Sequence, residues 1–349
     1  MRRLAVTLVA VVLAVPASAW ATPDATPRSH WARAEIASVV ARGLMAPDEA
    51  SFRPDDLLTR GELNALVAGL TGQPAARSAN PGAPVSVSTL DASLVRAIGA
   101  QDAAATFTRS LRAAGLTPSS RFGTETVVRL LGLRENQPAE RDGLERLPTE
   151  AATRAQAAYS AARMLRLRGG EADALRAAAA SFVLPPLTPW QKRVLNTAFW
   201  FVGYPYVWGG ESEFTAGPYG AQAQGGFDCS GLVWRVYKLQ PYEGGALLPA
   251  TLQGRTTYAM SSEVPRSARI PITALEPGDL MFFGSRGPRS KPAQIDHMGM
   301  YAGAGWIVHA SRFGVALAPL NGWYLERFAW GRRPLAEAGL ASAWTVVRK

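Results

Sequence analysis

Among 349 residues the chain has a single cysteine, Cys229, in the stretch Gly225-Gly226-Phe227-Asp228-Cys229-Ser230-Gly231. Asp228 suits a helix N-cap. Leu232, Val236 and Leu239 recur after it at helical spacing, with Val233 and Tyr237 alongside. Cys229 is therefore expected in the first turn of a helix. The positive end of the macrodipole there favours thiolate, the reactive form, over thiol. Gly231 keeps bulk away from the sulfur. A thiolate nucleophile also needs a base, and the chain offers three histidines. His30 belongs to an N-terminal helical stretch; His297 and His309 both lie in Asp296–Ser311.

His297–Tyr301 and Trp306–His309 read as two strands joined at Gly303-Ala304-Gly305. With Ala302 opposite Trp306, His297 and His309 project from one face a diagonal step apart, roughly 7–8 Å between backbone positions. One imidazole can then act as base toward Cys229 while the other fixes its tautomer, the logic of nucleophile, base and orienter. Taken singly, a lone buried cysteine is ordinarily an inert small hydrophobe and a lone strand histidine is structural. The three positions together point to acyl-transfer chemistry. The same three side chains can also be read as a zinc site with one open position, but no CxxC, HxxH or HExxH spacing accompanies them. No metal ligand and no cofactor is assigned.

These residues need a scaffold, and the rest of the chain indicates an exported one. Arg2 and Arg3 precede a short apolar run, Leu4 to Val15, with Pro16 and small-x-small sites at Ala17–Ala19 and Ala19–Ala21 behind it. This is the pattern of a cleaved signal peptide over residues 1–21. The run is shorter than the ~18 apolar residues that crossing a bilayer takes, and no later stretch reaches that length. One cysteine excludes an internal disulfide, so stability rests on packing; 48% hydrophobic residues suffice for that. The formal charge of +10 suits adhesion to anionic surface polymers. With 33 Arg against 4 Lys it also suits plain compositional bias. No nucleic-acid-binding module is found.

Residues 28–170 read as helical repeats. Trp31, Ile36, Val39, Val40 and Leu44 fall near helical spacing, and Thr59-Arg60-Gly61-Glu62 forms a capping box ahead of Leu63, Leu66, Val67 and Leu70. The device returns at Thr153-Arg154-Ala155-Gln156, five residues after Pro148 as Thr59 is five after Pro54. Ser110–Leu116 echoes Ser38–Leu44, which gives three helix–loop–helix units, the middle one degenerate. His30–Ala32, Phe52–Pro54 and the two boxes resemble S-layer homology domains. That resemblance implies binding of an anionic cell-wall polysaccharide, with Trp31, Arg60 and Arg154 as candidate contacts. Read from the sequence alone, Trp31 suits a core position, and both arginines equally suit solvated first-turn residues. Residues 171–189 run from an Ala-rich helix into Pro185, Pro186 and Pro189, a stiff linker between domains.

Residues 190–349 begin a different domain. Gln191–Val202 reads as a helix, Tyr206–Trp208 as a short strand, and 211–226 as a polar loop. Phe227–Lys238, Pro277–Gly284 and Asp296–Ser311 resemble the NlpC-like cell-wall endopeptidases. The resemblance implies a papain-like fold, with Cys229 as nucleophile, His297 as base and His309 as orienter. It further implies that Tyr206 helps stabilise the oxyanion and that Asp228 and Ser230 contact the substrate peptide, a role compatible with Asp228 as cap. Loops 211–226 and 285–294 are longer than the family's usual ones. The second carries Arg286, Arg289 and Lys291, which suit either an acidic stem peptide or solvent.

The expectation is thus a multidomain protein: all-α S-layer-homology-like repeats, then an α+β papain-like domain with an antiparallel sheet. Its expected activity is cysteine endopeptidase cleavage of a peptidoglycan stem peptide at a D-γ-glutamyl–diamino acid bond. Its expected place is secreted and cell-wall associated. Two other readings share the scaffold, a catalytically silent wall-binding protein and an amidase or acyltransferase.

Overall fold

The structure, a computed structural model, describes residues 30–134 and 145–340. The expected signal peptide lies outside the described residues. The helical part comprises α1 (Arg33–Val40), α2 (Arg60–Thr71), α3 (Val87–Ala97), α4 (Gln101–Ala113), α5 (Phe122–Leu130), α6 (Arg154–Met164) and α7 (Gly169–Ser181). Both expected capping boxes are present: Thr59 with Glu62 opens α2, and Thr153 with Gln156 opens α6. Leu63 and Leu66 form the buried stripe of α2.

A third cap, Ser86 on α3, completes the pattern. The residues just before the three caps bond in a closed ring: Leu58 N–H to Ala152 O (2.8 Å), Ala152 N–H to Val85 O (2.9 Å) and Val85 N–H to Leu58 O (3.0 Å). All three side chains are buried. Three helices thus diverge from a pseudo-threefold hub, with every orphan donor at their N-termini answered locally. The equivalent of Thr59 in the middle unit is therefore Ser86. It carries Thr89 where Glu or Gln completes the box elsewhere, so its reciprocal bond is absent and its sequence signal is weak.

The C-terminal part opens with α8 (Pro189–Trp200), boxed by Thr188 and Gln191. Two short pairs follow within the long loop: β1 (Glu211–Ser212) with β4 (Gly226–Phe227), and β2 (Ala216–Gly217) with β3 (Gly220–Ala221). Then come α9 (Cys229–Trp234), running on through a π-turn at Arg235–Leu239, and α10 (Thr257–Ser262). β5 (Leu280–Gly284), β6 (Ile295–Gly303), β7 (Trp306–Ser311), β8 (Gly314–Pro319) and β9 (Phe328–Arg332) form an antiparallel sheet in the order β8-β7-β6-β5-β9. α11 (Trp323–Arg327) lies between β8 and β9 in sequence.

Strand alternation sorts the sheet's side chains. Met298, Met300, Val308 and Ala310 join the large core with Cys229, Leu232 and Val236 of the nucleophile helix. Met281, Phe283, Ile307 and Phe328 form a smaller cluster with Tyr301 and Tyr324.

The segment 171–189 is built into the core. Phe182 is fully buried, with its ring 5.6 Å from Phe107 of α4 and 5.2 Å from Trp306 of β7; Phe122 meets Phe199 of α8 at 5.5 Å. An ionic knot lies beside this aromatic seam. Arg134 reaches Asp91 (3.2 Å), Glu125 (2.6 Å) and Glu145 (2.9 Å), and both Arg134 and Arg129 donate to Gly203 O, at 3.1 and 3.0 Å. Gly203 has φ +97°, and a Cβ there would sit 2.5 Å from the Glu125 carboxylate. Glycine is what lets the carbonyl enter the knot.

Candidate active site

The nucleophile helix starts as its sequence dictates. Asp228 Oδ1 accepts the Gly231 N–H at 2.5 Å and the Ser230 hydroxyl at 3.0 Å, and Oδ2 accepts the Gly209 N–H at 3.0 Å. Gly231 packs against the backbone, since a Cβ would fall 1.8 Å from Gly210 O. Its role is therefore close approach of the helix to the Gly209–Gly210 turn. Arg255 fastens this corner. It donates to Asp228 Oδ1 (3.2 Å), Ser230 Oγ (2.8 Å), Glu211 Oε2 (2.9 Å) and both glycine carbonyls (3.0 and 3.1 Å). Asp228 and Ser230 are thus held by the protein's own groups at the start of α9. Tyr206 comes to the same place through a parallel bridge to Phe227, two residues before Cys229. The expected strand 206–208 reduces to that bridge.

Cys229 is buried, and its Sγ lies 3.4 Å from Thr257 Oγ1. Burial pushes its thiol up to about 11, helped by the neighbouring Asp228 charge; the Thr257 hydroxyl and the Met298 and Ser230 N–H groups oppose the shift. The expected thiolate is corrected here: desolvation outweighs the helix end, and the resting sulfur is a thiol. The β6–β7 ladder stops at Met300–Val308. Beyond it the Met298 N–H is left to the sulfur, on the residue next to His297.

The turn between β6 and β7 differs from expectation by one residue. Gly303, not Ala302, pairs with Trp306, through a bulge. Ala304 and Gly305, both with positive φ, make the two-residue turn. Met300–Val308 and Tyr301–Ile307 keep the expected register, so the histidines share a face as expected. His297 Nε2 lies 3.0 Å from His309 Nδ1, and His309 Nε2 lies 2.9 Å from Tyr324 Oη. Phe283 lies tilted against His297 at 5.7 Å and Trp323 meets it edge to face at 5.8 Å. They shield a ring that is half-buried at its edge. Burial lowers His297 to about 4, with the Arg327 charge adding to it, and holds His309 well below its ordinary value. Both imidazoles are neutral at pH 7. Tyr324 is pushed up to about 12 by burial and stays a phenol.

Thr257, Arg255 and Tyr324 escaped the sequence reading. Leu252–Thr257 and Asn321–Arg327 carry no spacing that singles them out; only the fold brings them to the site. Among the described residues no group of three or more His, Cys, Asp or Glu side chains is placed to share a metal ion. The long loops also take form. Residues 211–226 fold into two small hairpins with Phe214 and Tyr219 exposed, and 285–294 into two 3-10 turns with Arg286, Arg289 and Lys291 exposed.

The three candidate polymer contacts separate. Arg60 is exposed at the start of α2. Trp31 is half-buried between His30 (5.7 Å) and Tyr159 (6.1 Å). Arg154 is buried; it pairs with Glu62 and donates to Phe52 O (2.7 Å) and Met45 O (2.9 Å), with its guanidinium over the Phe52 ring. Its reading as a solvated first-turn residue is corrected, because the guanidinium ties the first unit to the third.

Two stretches of the chain are similar to known families. Residues 203–333 match the NlpC/P60 family. Residues 23–63 match the S-layer homology domain, on the first of the three helical units. A γ-D-glutamyl-L-lysine dipeptidyl-peptidase of Bacillus cereus is 32% identical over 153 residues, 42% of this chain and 38% of that protein. The murein DD-endopeptidase MepH of Escherichia coli is 32% identical over 144 residues, 41% of this chain and 45% of that protein. The chain thus spans less than half the length of either relative. A crystal structure of an NlpC/P60 family protein from Bacillus cereus is 28% identical, covering 43% of this chain and 41% of that one, with a TM-score of 0.32.

Proposed function

We propose that this protein is an exported peptidoglycan hydrolase, a cysteine endopeptidase on a papain-like domain whose helical region holds the cell envelope. The observation that carries the reading is the His297–His309 pair at 3.0 Å on the two strands against which the helix beginning at Cys229 packs. The relatives named a γ-D-glutamyl-L-lysine dipeptidyl-peptidase and a murein DD-endopeptidase support this reading. The bond proposed here is the γ-D-glutamyl–diamino acid amide of the stem peptide.

The mechanism follows from the protonation states. His297 uses Nε2 toward His309, so Nδ1 is the nitrogen left for the thiol proton. For Nδ1 to accept, Nε2 must carry the hydrogen and donate it to His309 Nδ1; His309 Nε2–H then donates to Tyr324 Oη. Reversing the direction at Tyr324 would place a hydrogen on His297 Nδ1 and disable the base. Thiol and imidazole rest neutral. As sulfur bonds to the amide carbon, its proton passes to Nδ1, and the oxyanion is met by the Cys229 N–H and the Tyr206 phenol. His297 returns the proton to the leaving amine. Water then attacks the thioester, giving one proton to His297 and releasing the acid and the thiol.

Digestion of purified sacculi by wild type and Cys229→Ala, with mass spectrometry of the fragments, tests this. New amino termini at the diamino acid are expected from wild type only. Equal release by both proteins removes the proposal.

A further inference from the structure

Both neighbours of β5 carry a bulge at Phe283. Phe283 pairs with His297 and Gly284 with Ile295, which leaves Asp296 as the extra residue of β6. On the other side Phe282 pairs with Trp330 and Phe283 with Phe328, which leaves Ala329 as the extra residue of β9. A bulge bends its strand and re-aims the side chain it adds. Asp296 forms an ion pair with Arg327 of α11. The Arg327 guanidinium lies 4.9 Å from the centre of the Trp323 ring, and its charge is felt at His297. Trp323 meets His297 edge to face at 5.8 Å and packs on Phe283 and Tyr324 at 5.9 and 5.3 Å, yet it stays 45% exposed. An indole so held, and still open to solvent beside the base, offers a binding face.

These side chains stand on the leaving side of the scissile bond. In the proposed mechanism His297 gives its proton to the amine of the diamino acid, so that residue lies against His297 and its side chain runs over Trp323. Diaminopimelate is lysine with one carboxylate added at the carbon that bears the ε-ammonium. Arg327 and Asp296 keep 27% and 55% of their side chains exposed, a cation and an anion side by side. They complement a side chain that ends in both charges. The surroundings favour the added carboxylate. Arg286, Arg289 and Lys291 are exposed on the insert, against Glu326 in α11. The insert is seated on that helix, since a Cβ at Gly287 would fall 2.8 Å from Glu326 O.

We propose that Trp323, Arg327 and Asp296 determine specificity for the leaving diamino acid and select diaminopimelate over lysine. Trp323 covers the methylenes, Asp296 takes the ammonium, and the Arg327 fork takes the carboxylate that lysine lacks. The assignment to this side of the bond rests on the proposed function.

Two peptides test it, L-Ala-γ-D-Glu-meso-diaminopimelate and L-Ala-γ-D-Glu-L-Lys, each with its main-chain carboxyl amidated so that they differ in the added carboxylate. Wild type is expected to cleave the first with a kcat/KM higher by about tenfold or more. Arg327→Gln should bring the two peptides within about threefold of each other. Trp323→Ala should raise KM for both by about tenfold, and Trp323→Phe should restore it. Equal kcat/KM for the two peptides in wild type overturns the proposal, and so does a preference for lysine. So does an equal loss on both peptides in Arg327→Gln, the result of a role confined to holding the sheet end. The hydrolase reading fails separately. If wild type cleaves neither peptide, calorimetry on Cys229→Ala decides the specificity site. Tighter, Arg327-dependent binding of the diaminopimelate peptide keeps it, and equal affinity overturns it.

Discussion

His297 and His309 meet edge to face, with ring planes at 90° and Nε2 to Nδ1 at 3.0 Å, and Tyr324 closes the far side of His309. In the proposed mechanism the phenol accepts from His309 Nε2–H, which keeps His297 Nδ1 free to take the thiol proton. Tyr324→Phe leaves His309 Nε2 without a partner and frees both tautomers. Loss of kcat of about fivefold is expected, with KM little changed, because one neutral hydrogen bond contributes about 1 kcal/mol. Nitrogen-15 shifts of the two imidazoles should show mixed tautomers in the variant and one in the wild type. Unchanged shifts with unchanged kcat would remove Tyr324 from the relay.

Acid should weaken the protein through these same rings. Both histidines have folded pKa values below the unfolded value of about 6.5. The unfolded chain therefore binds more protons, and the stability they contribute is full above pH 6.5. It is lost as pH falls toward about 4, where His297 titrates. Urea denaturation at several pH values between 7 and 4.5 should show a steeper fall for wild type than for His309→Asn. Parallel curves would contradict the lowered values. The same shift predicts that kcat/KM holds down to pH 5, without a break near 6.5.

The ionic knot makes a strong claim about stability. Burial raises Asp91 to about 8 despite the opposing Arg134 charge, so that carboxyl is mainly protonated at pH 7. Arg134→Met leaves buried Glu125 and Asp91 without their ionic partner, while Glu145 keeps Arg129, and breaking a buried pair in this way costs about 3–5 kcal/mol. Asp91→Asn should cost much less. If denaturation midpoints fall equally for the two variants, the knot is not organised around Arg134.

Close packing at the nucleophile helix is open to a simple check. Gly231→Ala pushes a methyl into Gly210 O and should destabilise by about 3 kcal/mol and abolish hydrolysis. Gly82→Ala, where a Cβ meets nothing within 4 Å, is the matched control and should be silent. A silent Gly231→Ala would mean that the turn moves freely.

The parts of this fold with local causes were legible. Thr59 and Thr153 announce their helices because each cap and its N3 partner sit three residues apart. Asp228 and the Leu232 spacing placed Cys229, and alternation placed both histidines. What was not legible depends on distance in the chain. Arg255 reaches Asp228 from 27 residues away, and Tyr324 reaches His309 from 15. Neither contact leaves a periodic trace. The thiolate expectation failed for a related reason: a helix end is visible in sequence, whereas the burial that outweighs it is made by the sheet packed against α9. Arg154 could be read equally as a polymer contact or as a solvated first-turn residue, like exposed Arg60, yet the hub turns it inward onto Phe52.

The aromatic seam of Phe107, Phe182, Phe199 and Trp306 has a mechanical consequence. Two parts joined by a hinge would let the cleft sweep over any bond within the length of a tether. Here Phe182, at the point where a hinge would be placed, is wedged between both parts. If the helical region grips the envelope as proposed, the cleft stands at one fixed height and angle above that grip. The protein then works as a gauge, cutting strands that lie at a set offset from its anchor and passing over those nearer or farther.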